Sequence, residues 1–339
     1  MRLVDLRSDT VTRPTAAMRK VMAEAEVGDD VWGDDPTVNR LQAVAAERFD
    51  FEAALFFPSG TQSNLAAMLT WCQRGDEVLV GADAHTFLHE GGGVAALGSI
   101  HSHALPNEAD GSLDASVVRR AIKPKDLHFA RTRLLALENT LDGKVVPQER
   151  LEAACAVAKQ HGLATHLDGA RLMNAVVKTG RSEAQLSAPF DSVSLCLSKG
   201  LGAPVGSLLL GERPFIDEAR RWRKTLGGGM RQAGVLAAAG LYALEHHVAR
   251  LADDHANAAH LASRLAGLAG VTVLPVQTNM VWLDLAPTLT TGFVARLAEH
   301  GVLASGAERV RLVVHLDVSR DDVEYAARVI HSLTSPRSA

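Results

Sequence analysis

Val193-Ser194-Leu195-Cys196-Leu197-Ser198-Lys199-Gly200-Leu201-Gly202-Ala203-Pro204 is the stretch on which the fold turns. Its first five residues are an apolar run with the length and composition of a buried strand. The run leads straight into a lysine in a glycine-rich loop. Delivering an ammonium group there is costly unless the amine has a partner or a task. Upstream, Leu163-Ala164-Thr165-His166-Leu167 is a second apolar run, and it ends at Asp168. Two strands would thus present an acid and a lysine at their ends.

Outward from this pair, strands and helices alternate. Pro36 after Asp35 sits well in the first turn of a helix reaching to about Phe49. Ala53–Phe57 reads as a strand and Gly60–Trp71 as a helix. Glu77–Val80 is a strand, with a helix from about Thr86. Ser99–Ala104 reads as an exposed strand, Asp114–Ile122 as a helix and Arg133–Leu137 as a strand. Pro147–His161 is a helix closed by Gly162, and Gly206–Leu210 a strand turning back from the lysine loop. This rhythm predicts an α/β domain with a mostly parallel sheet. Residues 1–35 read as polar and loop-like. Helices dominate from Arg213 to about Leu268. Strands at Val271–Pro275, Met280–Leu285 and Val310–Leu316, with helices at Thr291–His300 and Arg320–Thr334, predict a smaller α+β unit. The expected division is 1–250 for a large domain and 251–335 for a small carboxyl-terminal one, with a frayed tail at Pro336–Ala339.

Composition narrows the function classes. A formal net charge of -4 offers no basic surplus for nucleic acid or an anionic membrane. No apolar run reaches spanning length, and Asp5, Arg7 and Asp9 stand where an export segment would be apolar. Cys72, Cys155 and Cys196 lack metal-like spacing and read as free buried thiols, which suits a reducing cytoplasm. No metal site is expected, although polar groups near Thr10, Thr12 and Ser207 could lie by a structural cation.

Several motifs could surround Lys199. An acid and a lysine on two strand ends can hold the two poles of pyridoxal 5'-phosphate, which needs a Schiff-base lysine and an acid facing its ring nitrogen. Phe57-Pro58-Ser59-Gly60-Thr61 turns a strand into a helix, whose first backbone donors could bind a phosphate. His85 follows a strand and could lie against a planar ring or relay a proton. His128 precedes Arg133–Leu137 and Glu138-Asn139-Thr140 follows it; either could enter the cleft, and a loop cap is the plain alternative for the histidine. Arg171 could reach a substrate carboxylate. Arg221, Arg223, Lys224 and Arg231 flank Gly227-Gly228-Gly229, as a solvated helix face or as a source of one cation for a phosphate across a subunit boundary. Arg311 within Val310-Arg311-Leu312-Val313-Val314 is better explained by a bound carboxylate than by a surface role.

Asp5-Leu6-Arg7-Ser8-Asp9-Thr10-Val11-Thr12, Gly28-Asp29-Asp30-Val31-Trp32-Gly33-Asp34-Asp35-Pro36-Thr37, His166-Leu167-Asp168-Gly169-Ala170-Arg171, Leu197-Ser198-Lys199-Gly200-Leu201-Gly202 and Gly228-Gly229-Met230-Arg231-Gln232 together resemble the low-specificity L-threonine aldolases. The resemblance spans nearly the whole chain. It implies the aspartate-aminotransferase-like fold type I, pyridoxal phosphate, and cleavage of L-threonine and L-allo-threonine to glycine and acetaldehyde, with tolerance for other β-hydroxy-α-amino acids. Lys199 would be the Schiff-base lysine and Asp168 the partner of the ring nitrogen. Gly60 and Thr61 would hold phosphate, with Arg231 close to it. His85 would stack on the cofactor and His128 would lie near the substrate hydroxyl. Ser8, Arg171 and Arg311 would bind the substrate carboxylate. A homotetramer of dimers, with sites at a subunit interface, is implied as well. Bacterial relatives often carry tyrosine where this chain has Trp32, so a phenol-dependent role is lost there.

The rival readings are a β-eliminating lyase, a serine hydroxymethyltransferase, or a catalytically silent pyridoxal-phosphate-binding protein. Elimination would yield ammonia and a keto acid, and hydroxymethyl transfer would need a folate site. Acetaldehyde and glycine formed without folate separate them all from an aldolase. The proton acceptor stays open between His85, His128 and a histidine-held water.

Overall fold

The computed structural model describes residues 2–334. The tail at Pro336–Ala339 and the last residue of the expected small domain lie outside the described residues. Thirteen strands run in chain order among those described: β1 Val4–Asp5, β2 Ala53–Phe57, β3 Asp76–Gly81, β4 His101–Leu105, β5 Arg131–Glu138, β6 Ala164–Asp168, β7 Ser192–Cys196, β8 Ser207–Gly211, β9 Val271–Val273, β10 Met280–Leu285, β11 Val302–Leu303, β12 Ser305–Gly306 and β13 Arg309–Val313.

Seven of them form the central sheet in the order β2-β8-β7-β6-β5-β3-β4. Only β8 opposes the others. Every residue of β2, β3, β7 and β8 is buried, which fits their mainly apolar sequences, with buried polar exceptions such as Asp76, Glu77, Ser192 and Ser194. Strand β4 lies at an edge, and its first four residues keep some exposure, as a half-solvated strand should. Parallel pairing places the carboxyl ends of β2, β3, β5, β6 and β7 along one rim, where an open α/β sheet binds its ligands.

The helix Pro36–Phe49 starts as expected. Asp35 accepts hydrogen bonds from Thr37 and Val38 backbone amides with one oxygen and from Gly28 and Gly234 with the other. Two local expectations fail. The amino-terminal segment contains the helix Ala16–Ala23, capped by Thr15. The helix expected from Thr86 is only one turn, His85–Leu88, and a second short helix covers Gly93–Gly98. Gly91 and Gly92 between them have φ of 62° and 66°, which a continuous right-handed helix cannot accommodate.

A smaller antiparallel sheet has the order β12-β13-β10-β9. It has its own apolar cluster, built from residues such as Val281, Leu283, Leu312 and Ile330. Val4 and Leu6 belong to this cluster too, because β1 pairs in parallel with β11. The amino-terminal segment therefore crosses to the carboxyl-terminal unit. The Val313 amide donates to the Leu6 carbonyl, so Ser8 and Asp9 are held beside the strand carrying Arg311.

Candidate active site

The β6 carboxyl end presents Asp168, which is 2% exposed. One of its oxygens accepts from the Ala170 backbone amide at 3.0 Å, and the other from Asn64 Nδ2 at 3.0 Å. Asn64 lies in the first turns of the helix Gly60–Trp71. The same Nδ2 donates to Glu90 Oε1 at 2.9 Å, and that oxygen lies 3.0 Å from His85 Nδ1. The His85 backbone amide donates to Glu138 Oε2 at 2.8 Å. Glu138 is the register partner of Asp168 in the adjacent strand. Burial first, and then the charge of Asp168, pushes the Glu138 carboxyl well above the ordinary carboxylate range. Burial likewise raises Glu90, although His85 and Asn64 pull it back down.

Lys199 follows the adjacent strand β7 by three residues. Its carbonyl accepts from Thr12 Oγ1 at 2.8 Å, which ties the lysine loop to the amino-terminal segment. Among the described residues its amine has neither a hydrogen bond nor an ion pair. Asp9 and Glu138 both feel its charge.

A cationic corner adjoins the lysine. Asp9, fully buried, takes a two-pronged contact from Arg171, with Nε at 2.8 Å and Nη2 at 2.6 Å. Asn279 Nδ2 adds a longer donor at 3.3 Å. Burial raises the Asp9 carboxyl, but Arg171 outweighs it and brings it to about 2. Arg311 stands near enough to Arg171 to be disfavoured by its charge. Its Nη2 donates to the Arg7 carbonyl at 3.2 Å, while its buried Nε has no partner among the described residues. A buried, unpaired guanidinium donor beside a second guanidinium fits a carboxylate ligand.

The fourth part is a helix start. Ser59 caps Gly60–Trp71 by accepting from the Gln62 amide at 3.2 Å. The glycine turn lies over this start: Gln62 Nε2 donates to the Leu226 carbonyl at 3.0 Å, and a Cβ on Gly228 would lie 1.9 Å from Gln62 Oε1. Gly60, by contrast, has open space around it. First-turn donors in an open recess suit an anionic group such as phosphate.

The sequence matches the β-eliminating lyase family over residues 5–288. It is 51% identical over 325 residues to the low specificity L-threonine aldolase of Escherichia coli K12, covering 96% of this chain and 97% of that protein. It is 46% identical over 349 aligned residues to the probable low-specificity L-threonine aldolase 2 of Arabidopsis thaliana, covering 98% of each. The chain belongs to the threonine aldolase family. In fold it also matches the solved Leishmania major threonine aldolase, with a TM-score of 0.85 at 21% identity, over 98% of this chain and all of that one.

Most of the expected threonine aldolase residues converge. Lys199, Asp168, His85, Arg171, Arg311 and Ser8 border one region, and Gly60 and Thr61 open a helix on the same rim. Arg171 is committed first to Asp9, so any substrate contact must use its remaining donors. Arg231 is half-exposed and paired with Asp29 at 3.0 Å. His128 is not brought to this group within the chain. It precedes β5, whereas Glu138 ends that strand, and eight strand residues span roughly 25 Å. There His128 is exposed and held by Asp126. Trp32 is 78% exposed and lines no wall of this chain's own site.

Asn64 and Glu90 escaped sequence reasoning. Among the described residues, His85, Glu90 and Asp168 have the mutual spacing of metal ligands. However, the Asn64 amino group donates to both carboxylates, so a donor occupies the place a cation would need. The Thr12 hydroxyl donates to the Asp9 and Lys199 carbonyls and the Ser207 hydroxyl to the Leu195 carbonyl. Cys72, Cys155 and Cys196 are free and buried, as expected. No described helix is long and apolar enough to cross a membrane.

Proposed function

We propose that this protein cleaves L-threonine and L-allo-threonine to glycine and acetaldehyde, with pyridoxal phosphate as its cofactor. The observation that carries this reading is the convergence of Asp168 and Lys199 on adjacent strand ends with the Asp9–Arg171–Arg311 corner beside them. Lys199 would hold the cofactor covalently, Asp168 would face its ring nitrogen, and Gly60 and Thr61 would receive its phosphate, with Arg231 nearby. His85 would lie against the ring. When bound, the cofactor supplies an electron sink for the bond that breaks.

The chain's own residues then select that bond. Arg171, Arg311 and Ser8 fix the substrate carboxylate and so orient the β-carbon. His85 Nε2 takes the β-hydroxyl proton: the O–H bond breaks and an N–H bond forms. A carboxylate clamp that ignores the far end of the substrate leaves the aldehyde side permissive. A single methyl position is worth only about 1–3 kcal/mol of discrimination.

We also infer a homotetramer of dimers in the cytoplasm. Free buried thiols support the reducing compartment. Exposed Trp32, and Leu127 and Phe129 flanking His128, support contacts between copies. In that assembly His128 serves a substrate only as a contribution from a second copy. The deciding experiment is product analysis with all four threonine stereoisomers and no folate. Glycine and acetaldehyde from both L-forms are expected; no cleavage of either would overturn the reading, and ammonia with a keto acid would favour elimination.

A further inference from the structure

A buried polar chain runs beneath the site, and each of its hydrogen bonds has a fixed direction. Trp71 Nε1–H can only donate, and it reaches Ser192 Oγ at 2.8 Å. Ser192 Oγ lies 2.9 Å from His166 Nδ1. His166 is fully buried, and burial lowers its pKa to about 4, so the ring is neutral with one N–H. His166 Nε2 lies 3.1 Å from Asn64 Oδ1. The Asn64 amide cannot be reversed, because its oxygen would then face both Glu90 and Asp168. Hence His166 Nε2 carries the hydrogen, Nδ1 accepts from Ser192, and the Asn64 amino group points to the two acids. This ordering is complete before any ligand is considered.

We propose that Glu90 is the positioning residue of His85, and that Asn64, donating to Glu90 and Asp168 together, joins the histidine and the acid into one unit whose direction is set from His166. This rests on reading His85 as the proton acceptor of a threonine-cleaving site. Glu90 Oε1 accepts from Asn64 and from His85 Nδ1–H. That assignment leaves a lone pair on His85 Nε2, in a side chain that keeps partial exposure. When Nε2 takes the hydroxyl proton, the resulting imidazolium faces the Glu90 carboxylate. The arrangement follows the logic of an acid–histidine pair: the carboxylate fixes the tautomer and stabilises the charged ring. Glu90 is 7% exposed and packed so that it serves no surface role.

Other charges face the pair. Asp168 lies across Asn64, Glu138 accepts a hydrogen bond from the His85 backbone amide, and the ring of His89, just past the end of the short helix, is 5.6 Å from the His85 ring. Lys199 acts on Glu138 from the neighbouring strand. A simple loss of fold in a variant would not distinguish these groups, so the test uses Glu90→Gln, which keeps size and an accepting oxygen, beside Glu90→Ala.

The holoenzymes would be compared by the pH dependence of kcat/KM for L-threonine, by the visible cofactor band, and by 15N NMR of the His85 ring. Glu90→Gln should retain the cofactor and the Nδ1–H tautomer, with the acid limb of the profile moved about one unit lower, because a negative neighbour is gone. Glu90→Ala should lose about 10–100-fold in kcat/KM, by analogy with outer-shell partners of other histidines, and shift the ring toward Nε2–H. A profile of Glu90→Gln superimposable on the parent with full cofactor would overturn the proposal. So would Nε2–H as the main tautomer of the parent. An inactive parent would instead overturn the functional reading, while the NMR arm would still report on Glu90 and His85.

Discussion

Two buried aspartate–arginine pairs in this molecule do different things. Asp30 and Arg223 are 1% and 2% exposed and meet at 2.7 Å. Arg223 also donates to the Phe56 carbonyl at 2.6 Å. There Arg223 is paired directly with an anion and a carbonyl, although Arg220 lies near enough to act on it, and the pair ties the helix Arg213–Thr225 to the loop around Asp30 and to the end of β2. Asp9 and Arg171 look similar in isolation. Yet Asp9 also feels Lys199, and Arg311 stands close by. Asp9 thus faces three cations, with Glu138 acting on Arg171 and Lys199 and Asp142 on Arg311, but only Arg171 is paired to it. A closed pair is a structural tie, whereas an arginine surplus to any such pair, as Arg311 is among the described residues, suits a ligand carboxylate. That difference, more than burial itself, marks the binding corner.

The sharpest break of this comparison is kinetic. Lys199→Ala should abolish the visible cofactor band and reduce cleavage to background, since Lys199 is the amine presented beside Asp168 on the adjacent strand. Persistence of the band would place the covalent attachment elsewhere. Arg311→Leu should lower kcat/KM by about 10²–10³-fold, the cost of withdrawing one member of a desolvated charge contact. Its thermal stability should hold, because removing Arg311 leaves no buried carboxylate without its ion-pair partner, unlike removal of Arg223. A drop in melting temperature with unchanged kinetics would reverse the assignment of surplus and tie.

The structural pair should show the opposite pattern. Arg223→Leu leaves Asp30 buried without a counter-charge and should cost about 3–5 kcal/mol in denaturant unfolding. The double variant Asp30→Leu with Arg223→Met should recover most of that loss, since buried pairs often tolerate apolar replacement. Folded enzyme of either kind should keep its KM.

Acid titration separates the pairs more gently. Asp9 drops from an ordinary 3.8 to about 2 in the folded chain. A depressed carboxylate contributes stability that is complete above the unfolded value and is lost as pH falls through the folded one. Asp9 should therefore contribute roughly 2–3 kcal/mol above pH 4 and lose it between about 4 and 2. The stability gap between the parent and Asp9→Asn, measured across that window, should close on acidification. A gap that stays constant would show that Asp9 does not titrate as its contacts require.

The strand ends were legible in the chain because each carries a local signature: an apolar run, a turn, then a polar residue. Gly60–Trp71 matched to its last residue, since Pro58 and Gly60 mark its start. Asn64 and Glu90 had no such mark. A polar residue in a helix or after a short one looks solvated until tertiary packing buries it. The amino-terminal helix Ala16–Ala23 was hidden by the polar residues around it, although Thr15 is a good cap. His128 could have been placed from topology alone: in a parallel sheet, residues before and after one strand lie at opposite rims. What no single sequence conveys is the charge count at a buried corner, because Asp9, Arg171, Lys199 and Arg311 come together from distant segments.

The smallest expected effect tests how the surplus cation is held. Arg311 lies 5.8 Å from the centre of the Trp282 ring, and the two are register partners on β13 and β10. Trp282 Nε1 is anchored in turn by the Asp142 carbonyl at 3.0 Å. A guanidinium over an indole gains about 0.5–1 kcal/mol at a partly exposed site. Trp282→Leu keeps bulk on the strand but removes the ring face, so KM for L-threonine should rise about two- to fivefold with kcat little changed. Cofactor affinity should stay the same, because Trp282 belongs to the carboxylate corner and not to the Asp168–Lys199 axis. A fall in kcat without a change in KM would mean that the indole acts on the orientation of the reacting bond, and the corner would then be more than a clamp.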